Sequence, residues 1–167
     1  YRKACADLGR PAPAPDRFSY LGIVAIAQDR KEAMRRAEVM VGYLRSSGRV
    51  AEPFGTPPGY FSVKDAARMI KARGKRTTTT REGKAVDTHH GAIEDLVKAG
   101  IMFVGDPDDV YRQLAEFVDN VGGLGHFLMM GHAGHMTHAE AVDQITLVAK
   151  EVLPRFKKPR AASKQAA

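Results

Sequence analysis

Hydrophobic and polar positions alternate between two rhythms along this chain. Phe18 to Ala27 (FSYLGIVAIA) is a near-continuous apolar run with β-branched residues, the pattern of a strand buried on both faces in a parallel sheet. Asp29 and Glu32, three residues apart, form a capping pair that opens a helix. The apolar positions Ala33, Ala37, Met40, Val41 and Leu44 then recur at helical spacing, with Arg30, Lys31, Arg35 and Arg36 assigned to the solvent face. Ile101 to Gly105 (IMFVG) reads as a second strand. Asp106 as N-cap, Pro107 at the first helical position and Asp109 open a second helix. Its buried stripe is predicted at Val110, Leu114, Phe117, Val118 and Val121. Gly122, Gly123 and Gly125 turn the chain into a third strand, His126 to Met130. Thr137 and Glu140 then form a capping box. Val142, Ile145, Val148, Ala149 and Val152 are predicted to face the core until Pro154 stops the helix.

Two stretches break this rhythm. Tyr1 to Leu8 reads as the end of a helix closed by Gly9, followed by an extended linker set by Pro11, Pro13 and Pro15. An insertion over about residues 46–99 contains an irregular Pro/Gly loop, a short helix capped by Ser62 and Asp65, and a polar tract, RGKRTTTTREGKAVDTHHG. A segment of this length between βα elements reads either as a lid or as a plain surface insertion. The result is three βα units and one insertion. That pattern predicts an α/β fold with a parallel sheet, in a domain over residues 1–156 followed by a basic tail over 157–167. The chain opens at Tyr1 inside a helix, so it is expected to be the downstream part of a larger α/β protein.

Composition narrows the function classes. With 167 residues, 44% hydrophobic and 27% charged, the chain has the make-up of a globular domain with its own core. The net charge of +7 suggests an anionic partner. Much of it, however, sits in the tail at Lys157, Lys158, Arg160 and Lys164, and no nucleic-acid-binding motif accompanies it, so no nucleic acid is expected. No apolar run reaches membrane-spanning length, so no membrane contact is expected. The single cysteine, Cys5, excludes an internal disulfide and suits a cytoplasmic location.

Candidate chemistry follows from position. In parallel α/β folds ligands bind at the C-terminal ends of the strands. That singles out Gln28, Gly105, Gly131 and His132, with Gly131 allowing a ligand close to the backbone. His132, His135 and His138 recur at three-residue spacing, but no carboxylate or cysteine completes a familiar set, so they read as loop residues with no metal. His126 sits on the opposite rim as a structural histidine, and His89 and His90 lie in the insertion. The GGLG turn precedes a strand and GHAGHMT lacks the Lys-Ser/Thr of a phosphate loop, so neither is a nucleotide motif. Met102, Met129 and Met130 read as a pocket wall or as core. Arg81 and Lys98, in or near the insertion, are positioned to meet an anionic group. Thr77 to Thr80, flanked by Arg76 and Arg81, read as an anion loop or as a polar loop. No nucleophile–base pair stands out, and no catalytic residue is assigned.

The ordered set VAIAQ, DRKEAMRRAE, FVGDPDDVYRQLAEFVDNVGGLGHFLMMG and HAEAVDQITLVAKEVLPRF resembles the C-terminal part of luciferase-like flavin-dependent monooxygenases. Gly105, Pro107, Val110, Gly122 to Gly125, His126 to Met130 and Pro154 carry the likeness, which covers roughly Phe18 to Phe156. The resemblance implies the last three strands of a (β/α)8 barrel, a fold that needs eight strands and about 250 residues. It implies reduced FMN supplied by a flavin reductase, O2, a small-molecule organic substrate, and a homo-oligomer paired through helices. On this reading Gly131, His132 and Gln28 meet the cofactor, while Arg81, Lys98 and Met130 belong to the substrate side or the lid. The main flavin-phosphate contacts lie on earlier strands, so this chain alone is expected to be inactive. An F420-dependent oxidoreductase of the same superfamily and a non-catalytic truncated or binding domain are the alternatives.

Overall fold

A computed structural model describes residues 1–46, 62–65, 67, 77–80 and 82–157. Its centre is a parallel sheet of three strands: β1 (Ser19–Ile26), β4 (Met102–Gly105) and β5 (His126–Met130). β1 lies in the middle, with Ile23 to Ile26 beside Met102 to Gly105 on one flank and Ser19 to Ile23 beside His126 to Met130 on the other. The two partners therefore meet different halves of β1. Only the half from Gly22 onward is buried, and Leu21 is exposed, so the apolar run is not covered along its whole length.

Helices cover both faces of the sheet around β4 and the C-terminal half of β1. α2 (Arg30–Ser46) lays Ala33, Ala37, Met40 and Val41 on the face that carries Ile23, Ala25, Met102 and Val104. α4 (Pro107–Asn120) sets Val110 and Leu114 against the other face, where Val24, Ile26 and Phe103 point. Alternate residues of one strand thus serve two cores, as the period of two requires. Consecutive strands of a barrel are neighbours, and its helices all lie outside. A run of three barrel strands would therefore place β4 in the centre. Here β1 is central, and the helices cover both faces around its C-terminal half, whereas Leu21 of β1 and Leu128 of β5 stay exposed side by side.

The insertion contributes to the core. β2 (Thr77–Thr79) and β3 (Ala85–Asp87) pair antiparallel, and Val86 is buried with Ile93 and Leu96 of α3 (Ile93–Lys98) in the α2-side cluster. The threonine run expected as a loop is thus largely strand, because threonine suits a pleated half-exposed surface. The Asp65 N–H donates to Ser62 Oγ at 3.2 Å, and residues 66 and 68–70 of that expected helix lie outside the described residues.

The termini are tied in. α1 (Arg2–Asp7) ends before Gly9, at φ 63°, and its Arg2 donates to the carbonyls of Val121 and Gly122 at 2.7 and 2.8 Å. A cation there meets the negative end of α4. At the other terminus, α5 (His138–Leu147) starts with the expected capping box, continues through a π-helical turn over Val148–Val152, and passes into α6 (Leu153–Phe156). Pro154 does not end the helix. It falls in the first turn after the π segment, where its missing N–H is not needed. The buried face is Ala141, Gln144, Leu147, Val148 and Val152, whereas Val142, Ile145 and Ala149 are exposed. The expected stripe holds at Val148 and Val152 and fails at Val142, Ile145 and Ala149, because a buried glutamine, Gln144, marks the inner face there.

Candidate functional site

The C-terminal ends of the strands gather Gln28, Gly105, Gly131 and His132, and the final helix reaches across them. Glu151 Oε1 accepts from Gln28 Nε2 at 2.6 Å. The wholly buried Gln144 donates its amide to the Gly131 carbonyl. A Cβ at Gly131 would lie 2.8 Å from Met129 Cε and 3.3 Å from Ile145, so protein atoms already fill the space above this backbone. Arg155 pairs with Asp108 at 2.7 Å and stacks on Tyr111, fixing the helix end to the start of α4. His132 is exposed. Met130 is half-buried against the α2-side core.

An ion network fixes the start of the final helix. Arg36 is 7% exposed, and its Nη1 donates to the Ile26 carbonyl and to Asp143 Oδ2, both at 2.8 Å, while Nε reaches Glu32 Oε1 at 3.0 Å. Sequence reasoning had placed this residue on the solvent face. Its charge tolerates burial because two carboxylates and a carbonyl at the end of β1 surround it. Arg35 binds Glu32 at 2.7 Å and also pairs with Glu140. The Arg35 hydrogen bond, with help from Arg36, lowers the Glu32 pKa to about 2. The Thr137 backbone N–H and hydroxyl, followed by Arg35, bring Glu140 to about 2 as well.

A cavity of about 640 Å³ lies along the other flank, beside β4. It runs from Gly100 and Val121 at one end of the strand to Gly105 and Arg30 at the other, with Phe103 and Val104 as its floor. Lys98, Arg30 and Arg112 line it, opposed by Glu82, Glu94 and Glu116. Buried Asp109 gathers two of these cations: Arg112 Nη2 lies 2.6 Å from Oδ1 and Arg30 Nε lies 3.3 Å from Oδ2. Gly105 adopts φ +144°, and a Cβ there would come within 2.5 Å of the Asp109 Cβ, so only glycine lets α4 start so close to the strand.

The positions picked from sequence therefore separate. Lys98 and Gly105 line the cavity, whereas Gln28, Met130, Gly131 and His132 do not. Arg81 lies outside the described residues. Asp87 accepts from the backbone N–H groups of His89 and His90, making those histidines part of a turn. Among the described residues no group of three or more His, Cys, Asp or Glu is placed to hold a metal, and no helix is long and apolar enough to cross a membrane. Sequence reasoning missed Arg30, Arg112, Gln113 and Gln144. The available signal was a polar residue at a stripe position: Gln113 is three after Val110, and Gln144 is three after Ala141.

Two solved structures share this fold. The chain is similar to the monooxygenase RslO1 from Streptomyces bottropensis, with a TM-score of 0.56 and 16% identity, over 93% of this chain and 36% of that one. It is likewise similar to the oxygenating constituent of 3,6-diketocamphane monooxygenase from the CAM plasmid of Pseudomonas putida, a type II Baeyer–Villiger monooxygenase in complex with FMN. There the TM-score is 0.55 and the identity 26%, over 93% of this chain and 38% of that one. The chain thus spans less than two-fifths of the length of either. No protein-family model matches it, and no curated protein does.

Proposed function

We propose that this chain is the C-terminal part of an FMN-dependent monooxygenase of the luciferase-like kind, which oxidises a small organic substrate with O2. The observation that supports this reading is the likeness, over 93% of the chain, to a monooxygenase that carries FMN. The described residues do not by themselves form a flavin cradle. Gln28 is held by Glu151, the Gly131 carbonyl by Gln144, and Met129 and Ile145 crowd the space a ring would need at Gly131. In this proposal the rest of the longer protein supplies most of the flavin site. His132, exposed at the end of β5, is the rim residue that meets the ligand without any release of the final helix.

The test is the longer protein containing these residues, titrated with reduced FMN from a flavin reductase while oxygen uptake is followed. Substrate-dependent oxygen uptake with FMN supports the reading. Hydride transfer to F420 without oxygen uptake would replace it with the oxidoreductase alternative. A second reading, a non-catalytic domain, draws on the final helix lying across the strand ends. It predicts no flavin binding even in the longer protein. His132→Ala in the active protein should raise the KM for substrate or weaken flavin affinity about tenfold, with unchanged thermal stability. Unaltered kinetics would remove His132 from the site.

A further inference from the structure

Among the described residues, the floor of the cavity beside β4 is the edge of a strand. The Ile23 N–H donates to the Ile101 carbonyl and the Ala27 N–H to the Gly105 carbonyl, so residues 101, 103 and 105 turn their backbone groups toward β1. In a parallel ladder the residues between them face the other way. Val104 therefore presents its N–H and C=O to the cavity, and Gln113 satisfies both. Its Oε1 accepts from the Val104 N–H at 2.9 Å and its Nε2 donates to the Val104 carbonyl at 2.8 Å. This is the hydrogen-bond pair that a neighbouring strand would make, supplied by one side-chain amide from nine residues away.

An open edge invites pairing, and proteins cover such edges in the absence of a partner. We propose that the β4 edge is a docking slot for one further extended strand, and that Gln113 is the latch occupying it until that strand arrives. The occupant is a segment of the longer protein outside these 167 residues, a step that rests on the reading of the chain as part of a larger enzyme. Two observations select this occupant. The slot follows the whole strand between walls that include Met34 and Lys98 on one side and Arg112 and Phe117 on the other. A second copy would bring an edge recessed between its own helices, which cannot enter; a lone strand can. The similar structures, in turn, have more than three-fifths of their length beyond the share this chain covers.

A peptide carrying the β1 sequence SYLGIVAI with flanking lysines is the probe, since that sequence already pairs with β4 on its other side. It is titrated into the 167-residue chain without flavin, and the backbone amide signals of residues 22–27 and 102–105 are followed. The outcome is thus independent of the flavin assay. Binding should shift Met102 and Val104 while leaving Ile23 and Ala25 in place. Gln113→Ala should bind about tenfold more tightly than the native chain, because the latch no longer competes. The same peptide N-methylated at alternate residues should not bind. Where Gln113→Ala does not fold, Gln113→Glu serves: its carboxylate still accepts from the Val104 N–H but cannot donate to the carbonyl, so affinity should fall between the two. No binding to any form, shifts confined to β1, or equal binding of the N-methylated peptide would overturn the proposal.

Discussion

Arg36 shows how one residue links the sheet to the final helix. It stands on α2, caps the Ile26 carbonyl and reaches Asp143 on α5. Arg36→Ala should therefore destabilise the chain by about 2 kcal/mol, the scale of a buried acceptor left without its charged donor, read as a lower midpoint in urea unfolding. A change under about 0.5 kcal/mol would mean that water replaces the guanidinium at no cost. The nearby carboxylates predict a pH dependence. Glu32 and Glu140 have folded pKa values of about 2 against an ordinary 4.5. A depressed carboxylate contributes stability that is complete above its unfolded pKa and is lost as pH falls through the folded one. Melting temperature should accordingly hold steady above pH 5 and drop between about pH 4.5 and 2. Glu140→Gln should flatten part of that fall while lowering the neutral-pH value. An identical acid profile in the variant would remove Glu140 as a contributor.

At the scale of elements, the sequence was most legible where local chemistry decides. Asp106 accepts from the Asp109 N–H at 2.8 Å, and Thr137 and Glu140 close their capping box at 3.2 and 2.7 Å, as the residue types require. Thr137→Ala should cost about 1 kcal/mol, with Thr137→Ser close to neutral, in chemical unfolding; equal losses for both would mean the methyl packing matters and the cap does not. Legibility fell where tertiary contacts decide. The spacing of Gln144 from Ala141 hints at a stripe position, but its partner, the Gly131 carbonyl, is a tertiary contact, and so the first part of the final stripe was read one position off while Val148 and Val152 were placed correctly. The site suffered most. Strand ends are visible in sequence, but whether a helix lies across them depends on how residues 138–156 return, and no local spacing records that. At Gly131 the side chains of Met129 and Ile145 call for glycine as closely as a ligand would.

For the whole molecule, the decisive question is which strand is central. The order β4-β1-β5 places Leu21 beside Leu128, both exposed, on neighbouring strands in register. Consecutive barrel order would insert β4 between them. Neighbouring strands lie about 4.8 Å apart, so the two positions would then be separated by about 9.6 Å. A disulfide needs Cα atoms closer than about 7 Å. The double substitution Leu21→Cys with Leu128→Cys is therefore a ruler between the two arrangements. Cys5, the native thiol, is buried and should not compete. In the 167-residue chain, mild oxidation should form an intramolecular cross-link, seen as loss of two free thiols and faster migration on a non-reducing gel. The same pair in the longer protein reports what happens when the remaining strands are present. A cross-link there keeps β1 between β4 and β5 and argues that this piece retains its order. Two free thiols in the longer protein, with a cross-link in the short chain, would mean that β5 changes neighbours as the full sheet forms. An unlinked short chain would contradict the central position of β1 itself, and with it the outer edge on β4 that Gln113 covers.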